Sequence, residues 1–187
     1  MLIDEAAGWA ILTPPKTGST SLRHHFSDRY SGKQHDMELP DTFRGHVYVT
    51  VRNPFARAVS LWQHRLWDRS REAGLQGPHQ LVTRLEFADF IEELPQLDDF
   101  FYPMSWWIRN LPEPYGLLRL ESLEQSLRRI GLLMADQELP RLNKTKHEPA
   151  STYYADDYLR WRIIQHFAAD FEQFRYSTNI TRDAVLV

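Results

Sequence analysis

The stretch Pro14-Pro15-Lys16-Thr17-Gly18-Ser19-Thr20-Ser21-Leu22 constrains this chain more than any other. The apolar run Trp9-Ala10-Ile11-Leu12 precedes it, and Leu22, Phe26 and Tyr30 follow at helical spacing. This pattern predicts a buried strand, a tight turn and an amphipathic helix from about Ser19 to Tyr30. The turn offers the backbone N–H groups of Thr17, Gly18, Ser19, Thr20 and Ser21, several hydroxyls and the Lys16 ammonium. First-turn amides and the helix dipole both favour an anion, so the turn reads as a phosphate- or sulfate-binding loop. A nucleotide-triphosphatase loop has the order G-x-x-x-x-G-K-[ST]. Here Lys16 stands before the single glycine of the loop, and the triphosphatase pattern occurs nowhere in the chain.

At 187 residues the chain is expected to form a single domain, residues 1–187, able to bury about two thirds of its unfolded surface. Hydrophobic residues at 42% and aromatics at 13% support a filled core rather than a disordered chain. A net charge of −3 argues against a general nucleic-acid binder. With no cysteine, neither a disulfide framework nor a thiolate metal site is possible. No signal peptide and no run of ~18 apolar residues is visible, so a soluble, cytoplasmic protein without a membrane span is expected.

Taken in order, residues 1–8 read as a lead into the first strand. After Ser31-Gly32 comes a stretch of ionisable groups, Lys33 to Glu38, which is either a surface loop or the end of a second strand facing a cleft. Val47–Val51 is β-branched and aromatic, as in a buried parallel strand, and runs into Arg52-Asn53-Pro54. Asn53 suits an N-cap and Pro54 a first helical position, with Phe55, Val59, Trp62 and Leu66 on one helical face. Arg52 thus falls at the carboxyl end of a strand, where ligands bind in open α/β sheets. Residues 69–83 read as a loop, 85–94 as a helix, 95–103 as a linker and 115–120 as a strand. A helix closed by Gly131 follows, opened by a Ser122-x-x-Gln125 capping box. A last helix over about 155–174 places Tyr158, Trp161, Ile164, Ala168 and Phe171 on one stripe. Strands alternating with helices predict an α/β, three-layer sandwich with a mainly parallel central sheet.

Two motifs carry a family resemblance. The order Pro-Lys-Thr-Gly-Ser-Thr-Ser resembles the 5′-phosphosulfate loop of sulfotransferases that use 3′-phosphoadenosine 5′-phosphosulfate (PAPS). Val51-Arg52-Asn53-Pro54-Phe55-Ala56-Arg57-Ala58-Val59-Ser60 is similar to their 3′-phosphate motif, R-[DN]-P-x-x-R-x-V-S. Further on, Arg119-x-Glu121-x-Leu123 resembles the R-x-E-x-L of carbohydrate sulfotransferases, and Leu142–His147 with Tyr153-Tyr154 and Asp170–Tyr176 resembles their C-terminal end. The likeness is closest to the membrane-associated carbohydrate type, because the R-K-G motif of the cytosolic steroid and phenol type is missing.

The resemblance implies a P-loop-like sulfotransferase fold and in-line transfer of a sulfuryl group from PAPS to a hydroxyl acceptor, a carbohydrate by closest likeness. The product would be adenosine 3′,5′-bisphosphate, and no metal would be needed. Lys16 would meet charge on the departing 5′-phosphate, the amides of Thr17 to Ser21 would hold that phosphate, and Arg52 and Ser60 would bind the 3′-phosphate. A guanidinium suits a phosphate because it donates two parallel charged hydrogen bonds. The acceptor hydroxyl needs a general base, and His35 is the first choice because imidazole titrates near neutrality. Asp36, Glu38 and His46 are rivals, although His46 sits at the start of a strand. Trp106 and Trp107 read as core residues, with stacking on adenine or sugar as the alternative. The run Arg57, Arg65, Arg69, Arg71 reads as a solvated helix face, with an anionic glycan as the alternative partner. Two other functions fit the same loops: a P-loop-type nucleotide kinase or triphosphatase, and a nucleotide-binding module without catalysis.

Overall fold

Short β-rich segments and amphipathic helices alternate along the chain, and they assemble into a mostly parallel sheet flanked by helices. The computed structural model describes residues 1–27, 35, 37–72, 74, 86–140, 142 and 150–180. The strands are β1 (Leu2–Asp4), β2 (Trp9–Leu12), β3 (His46–Val51) and β4 (Gly116–Arg119). The helices are α1 (Ser19–His25), α2 (Pro54–Glu72), α3 (Phe87–Glu93), α4 (Met104–Trp107), α5 (Leu123–Arg129), α6 (Asp157–His166) and α7 (Ala168–Gln173). The sheet order is β1-β2-β3-β4, with β1 antiparallel to β2 and the other pairs parallel. This is the expected α/β class.

By its contacts the chain divides into two compact units. The first comprises Met1–Asn53 and Pro103–Lys144 and contains the whole sheet with α1, α4 and α5. Its core joins Leu22 of α1, Phe26 at its end, and Leu123 and Leu127 of α5 to Leu2, Trp9, Ile11 and Leu118 of the strands. All four positions of β2 are buried, as a central strand covered on both faces requires. The second unit comprises Pro54–Tyr102 and Thr145–Leu186, with α2, α3, α6 and α7 around Phe55, Phe90, Tyr154, Ile163, Phe167 and Phe171. Phe55 packs edge-on against Tyr154 and Phe171, with ring centroids 5.0 and 5.1 Å apart. The first part of this unit leaves the sheet after β3 and returns before β4, which is why the two units interleave in sequence.

Several local expectations are corrected. Residues 1–8 are more than a lead, because Leu2–Asp4 pairs with Trp9–Ile11 as an edge strand. The linker over 95–103 contains 3-10 turns at Leu94–Gln96 and Asp99–Phe101, and Asp98 caps the second by accepting from the Phe100 N–H. The Ser122 side chain makes no capping bond to α5. The last helix is two helices, broken at Phe167, whose dihedrals (−106°, 25°) cap both. The buried row is Ile163, Phe167, Phe171 and Phe174, so Tyr158 and Trp161 turn outward instead of lining a core stripe. Arg57 is not on a solvated face: it is completely buried, donates to the Tyr102 carbonyl at 2.9 Å, and lies 5.5 Å from the Phe167 ring centroid. The helix predicted to Tyr30 ends earlier, at His25 with Phe26 as its cap, and residues 28–34 and the side chains of Arg69 and Arg71 lie outside the described residues.

Candidate active site

Parallel pairing brings the carboxyl ends of β2, β3 and β4 to one edge of the sheet. Leu12 pairs with Val49 and Val51 with Arg119, so the loop after β2 and the residues after β3 emerge side by side. Arg52 closes the gap, its Nη1 donating to the Lys16 carbonyl at 3.3 Å. The Lys16 loop and the arginine that opens the second motif therefore meet in the first unit.

The loop is braced from below by hydroxyls. Thr17 Oγ1 donates to the Pro14 carbonyl at 2.7 Å and lies 2.6 Å from Thr50 Oγ1 of β3. With its one proton used on Pro14, the Thr17 oxygen is the acceptor and Thr50 the donor in that short bond. Thr17 is fully buried, so its hydroxyl shapes the loop, whereas Thr20 is exposed and Ser21 half-buried. The first α1 bond runs from the Leu22 N–H to the Gly18 carbonyl at 3.2 Å, so the amides of 19–21 precede the intrahelical ladder. Gly18 has φ +100°, and a Cβ there would meet Leu120 Cδ1 at 2.8 Å. Only glycine combines that left-handed backbone with so close an approach. Lys16 itself sits at φ +67°, a left-handed conformation that an L side chain adopts at a cost.

His35 reaches this edge from the segment after α1. Its Nδ1 lies 2.8 Å from the Thr13 carbonyl oxygen. A carbonyl only accepts, so Nδ1 carries the proton and Nε2 keeps its lone pair. Burial lowers the His35 pKa below its ordinary 6.5, the Thr13 bond opposes this, and the positive charges of Arg23 and Lys16 add to the lowering. His35 is also left-handed, at φ +60°, and the Trp107 ring centroid lies 6.3 Å away. Trp106 and Trp107 are half-buried rather than core, and Arg109 lies over the Trp106 ring at 3.8 Å.

The remaining candidates are placed differently. His46 begins β3, is exposed and pairs with Trp9, so it occupies the opposite end of the strand from Arg52. Glu38 is exposed, and Asp36 lies outside the described residues. Ser60 is on α2 in the second unit, at the margin of burial. Among the described residues no group of three or more His, Asp or Glu side chains could hold a metal ion.

The segment after β4 has a role that sequence reading left unassigned. Arg119 ends β4 opposite Val51, Leu120 lies over Gly18, and Glu121 Oε1 accepts from the Asn53 N–H at 2.6 Å. Leu123 enters the core of the first unit. One short run thus braces both phosphate motifs, and the R-x-E-x-L pattern was its only signal.

A sequence model of the sulfotransferase family matches residues 12–177. The chain belongs to the sulfotransferase family. The match starts at the end of β2 and includes the loop, Arg52, His35 and the run from Arg119 to Leu123. Sulfuryl transfer in general, from a small-molecule donor to a hydroxyl acceptor, comes with that membership. No curated protein and no solved structure matches the chain. Among the described residues, no helix is long and apolar enough to cross a membrane.

Proposed function

We propose that this sulfotransferase moves the sulfuryl group of PAPS in line onto a hydroxyl of a carbohydrate, releasing adenosine 3′,5′-bisphosphate. The observation that carries the reading is the Arg52–Lys16 bond, which joins a phosphate-type loop to an arginine at one sheet edge beside a histidine of fixed tautomer. The amides of Thr17 to Ser21 hold the 5′-phosphate. Lys16 meets the negative charge that grows on the bridging oxygen as the S–O bond to that phosphate breaks. Such transfer is governed by positioning and charge stabilisation, and one preorganised donor is worth about 10²–10³ in rate. His35 Nε2 takes the acceptor proton as the new S–O bond forms, a contribution of about 10²–10⁴. Arg52 binds the 3′-phosphate, and Ser60 is assigned to the same phosphate by the sequence motif alone. Ammonium, guanidinium and amides meet the phosphate charge, so the step requires no metal.

Calorimetric titration tests this directly. Adenosine 3′,5′-bisphosphate should bind tightly, AMP weakly and ATP–magnesium no better than AMP, and Arg52→Ala should abolish the preference for the bisphosphate. Preference for ATP–magnesium would point to a nucleotide kinase. Bisphosphate binding without sulfuryl turnover would leave a nucleotide-binding module.

A further inference from the structure

The second unit carries an aromatic pair that its core does not absorb. On α6, Tyr158 and Trp161 are 50% and 52% exposed, with ring centroids 6.1 Å apart and planes 30° from parallel. The pair is held in place. The Asp156 carboxylate takes the Tyr158 N–H at 2.7 Å, and the Tyr158 hydroxyl donates to Glu92 Oε1 of α3 at 2.8 Å. Arg162, one turn along, donates to the other Glu92 oxygen at 2.9 Å, and Arg160 pairs with Asp157. Two preset rings therefore stand in a rim of carboxylates and guanidinium groups of near-balanced charge.

We infer that this surface of the second unit is a binding platform for an uncharged carbohydrate. A pyranose presents a face of C–H groups, polarised positive, and a rim of hydroxyls. The negative faces of Trp161 and Tyr158 match the C–H face. Glu92 has lone pairs left to accept hydroxyl protons, and Arg162 and Arg160 can donate to hydroxyl oxygens. Size separates this occupant from a protein partner. Two half-exposed aromatic rings offer roughly 200 Å², which covers one or two sugar rings. A stable protein interface needs about 800 Å² from each side. Charged residues flank the rings on α6, with Asp156 and Asp157 before Tyr158 and Arg160 and Arg162 on either side of Trp161. The balanced rim also gives no reason to prefer an anionic glycan. The inference rests on the second unit alone and does not depend on the assignment of the sulfate donor.

Saturation-transfer difference NMR on the full chain with maltohexaose, cellohexaose and chitohexaose tests it. At least one should show saturation transfer to ring C–H protons, and Trp161→Ala should weaken that binding by about tenfold or more. Tyr158→Phe keeps the ring but loses the Glu92 bond, and should cost only a few-fold. Trp161 is half exposed, so its replacement should leave the fold and the binding of adenosine 3′,5′-bisphosphate intact. Failure of all three sugars to bind, or equal binding by Trp161→Ala, overturns the inference. So does concentration-dependent self-association that Trp161→Ala abolishes, which would make a second copy of the chain the occupant.

Discussion

Lys16 and His35, the two side chains given chemical roles here, both have left-handed backbones, which they share with only Arg175 among the described non-glycine residues. Such a conformation costs about 1–3 kcal/mol and persists only where the surroundings enforce it. Here they do, through the Thr17–Thr50 brace, the Arg52 bond to the Lys16 carbonyl and the His35 bond to Thr13. Replacing Lys16 with glycine should therefore separate stability from activity. Relief of strain offsets the entropy that glycine adds to the unfolded chain, so the melting temperature should hold or rise. Sulfuryl turnover should fall by about 10²–10³. A large drop in melting temperature would show that the ammonium is structural. His35 gives a second test at this scale. Burial lowers its pKa, so the free base is already the major form at pH 7. The kcat/KM profile should rise with pH through a value below 6.5 and level off above it, and His35→Gln should remove that limb. A limb unchanged in the variant would pass the role of base to another group.

At the scale of elements, the turn after β2 depends on Gly18. Gly18→Ala adds a Cβ against Leu120 and a left-handed alanine, a penalty of about 1–2 kcal/mol. It should lower the melting temperature and weaken adenosine 3′,5′-bisphosphate binding together, because in the proposed function the amides of this turn hold the 5′-phosphate. A variant that loses stability but binds normally would place the nucleotide elsewhere. These elements were legible because their signals are local. Trp9–Leu12, the Lys-Thr-Gly turn and Leu22 with Phe26 fall within one window of sequence, as do β3, Arg52 and Pro54. The features that escaped depend on distance. β1 is three residues long and exists only because β2 pairs with it. Thr50 braces Thr17 across 33 residues, and Glu121 reaches Asn53 across 68. The break at Phe167 has no proline or glycine to announce it, and one shift of the buried row sent Tyr158 and Trp161 to the surface. Arg57 was misread for the same reason, since charge predicts exposure until a carbonyl and a ring are brought around it.

Across the whole molecule, acid should weaken the fold, because the pKa values of His35 and His166 are both displaced downward. In the second unit, His166 is lowered from 6.5 to about 4, first by burial and then by the charges of Arg57 and Arg162, against a hydrogen bond to the Phe101 backbone that raises it. In the first unit His35 moves the same way. Between about pH 6.5 and 4 the unfolded chain therefore binds protons that the folded chain refuses. Stability is full above 6.5 and declines as the pH falls toward 4, with His166 contributing on the order of 1 kcal/mol per pH unit and His35 acting in the same direction. Urea melts at pH 7, 6 and 5 should show falling midpoints at constant slope. His166→Asn should flatten the trend, and the His35 part should persist in that variant. Arg57 stays charged throughout, because guanidinium does not titrate in this range, so its charge adds to the larger cost of burying an imidazolium. Midpoints that do not move between pH 7 and 5, or an unchanged slope of stability against pH in His166→Asn, would mean that this histidine is open to water.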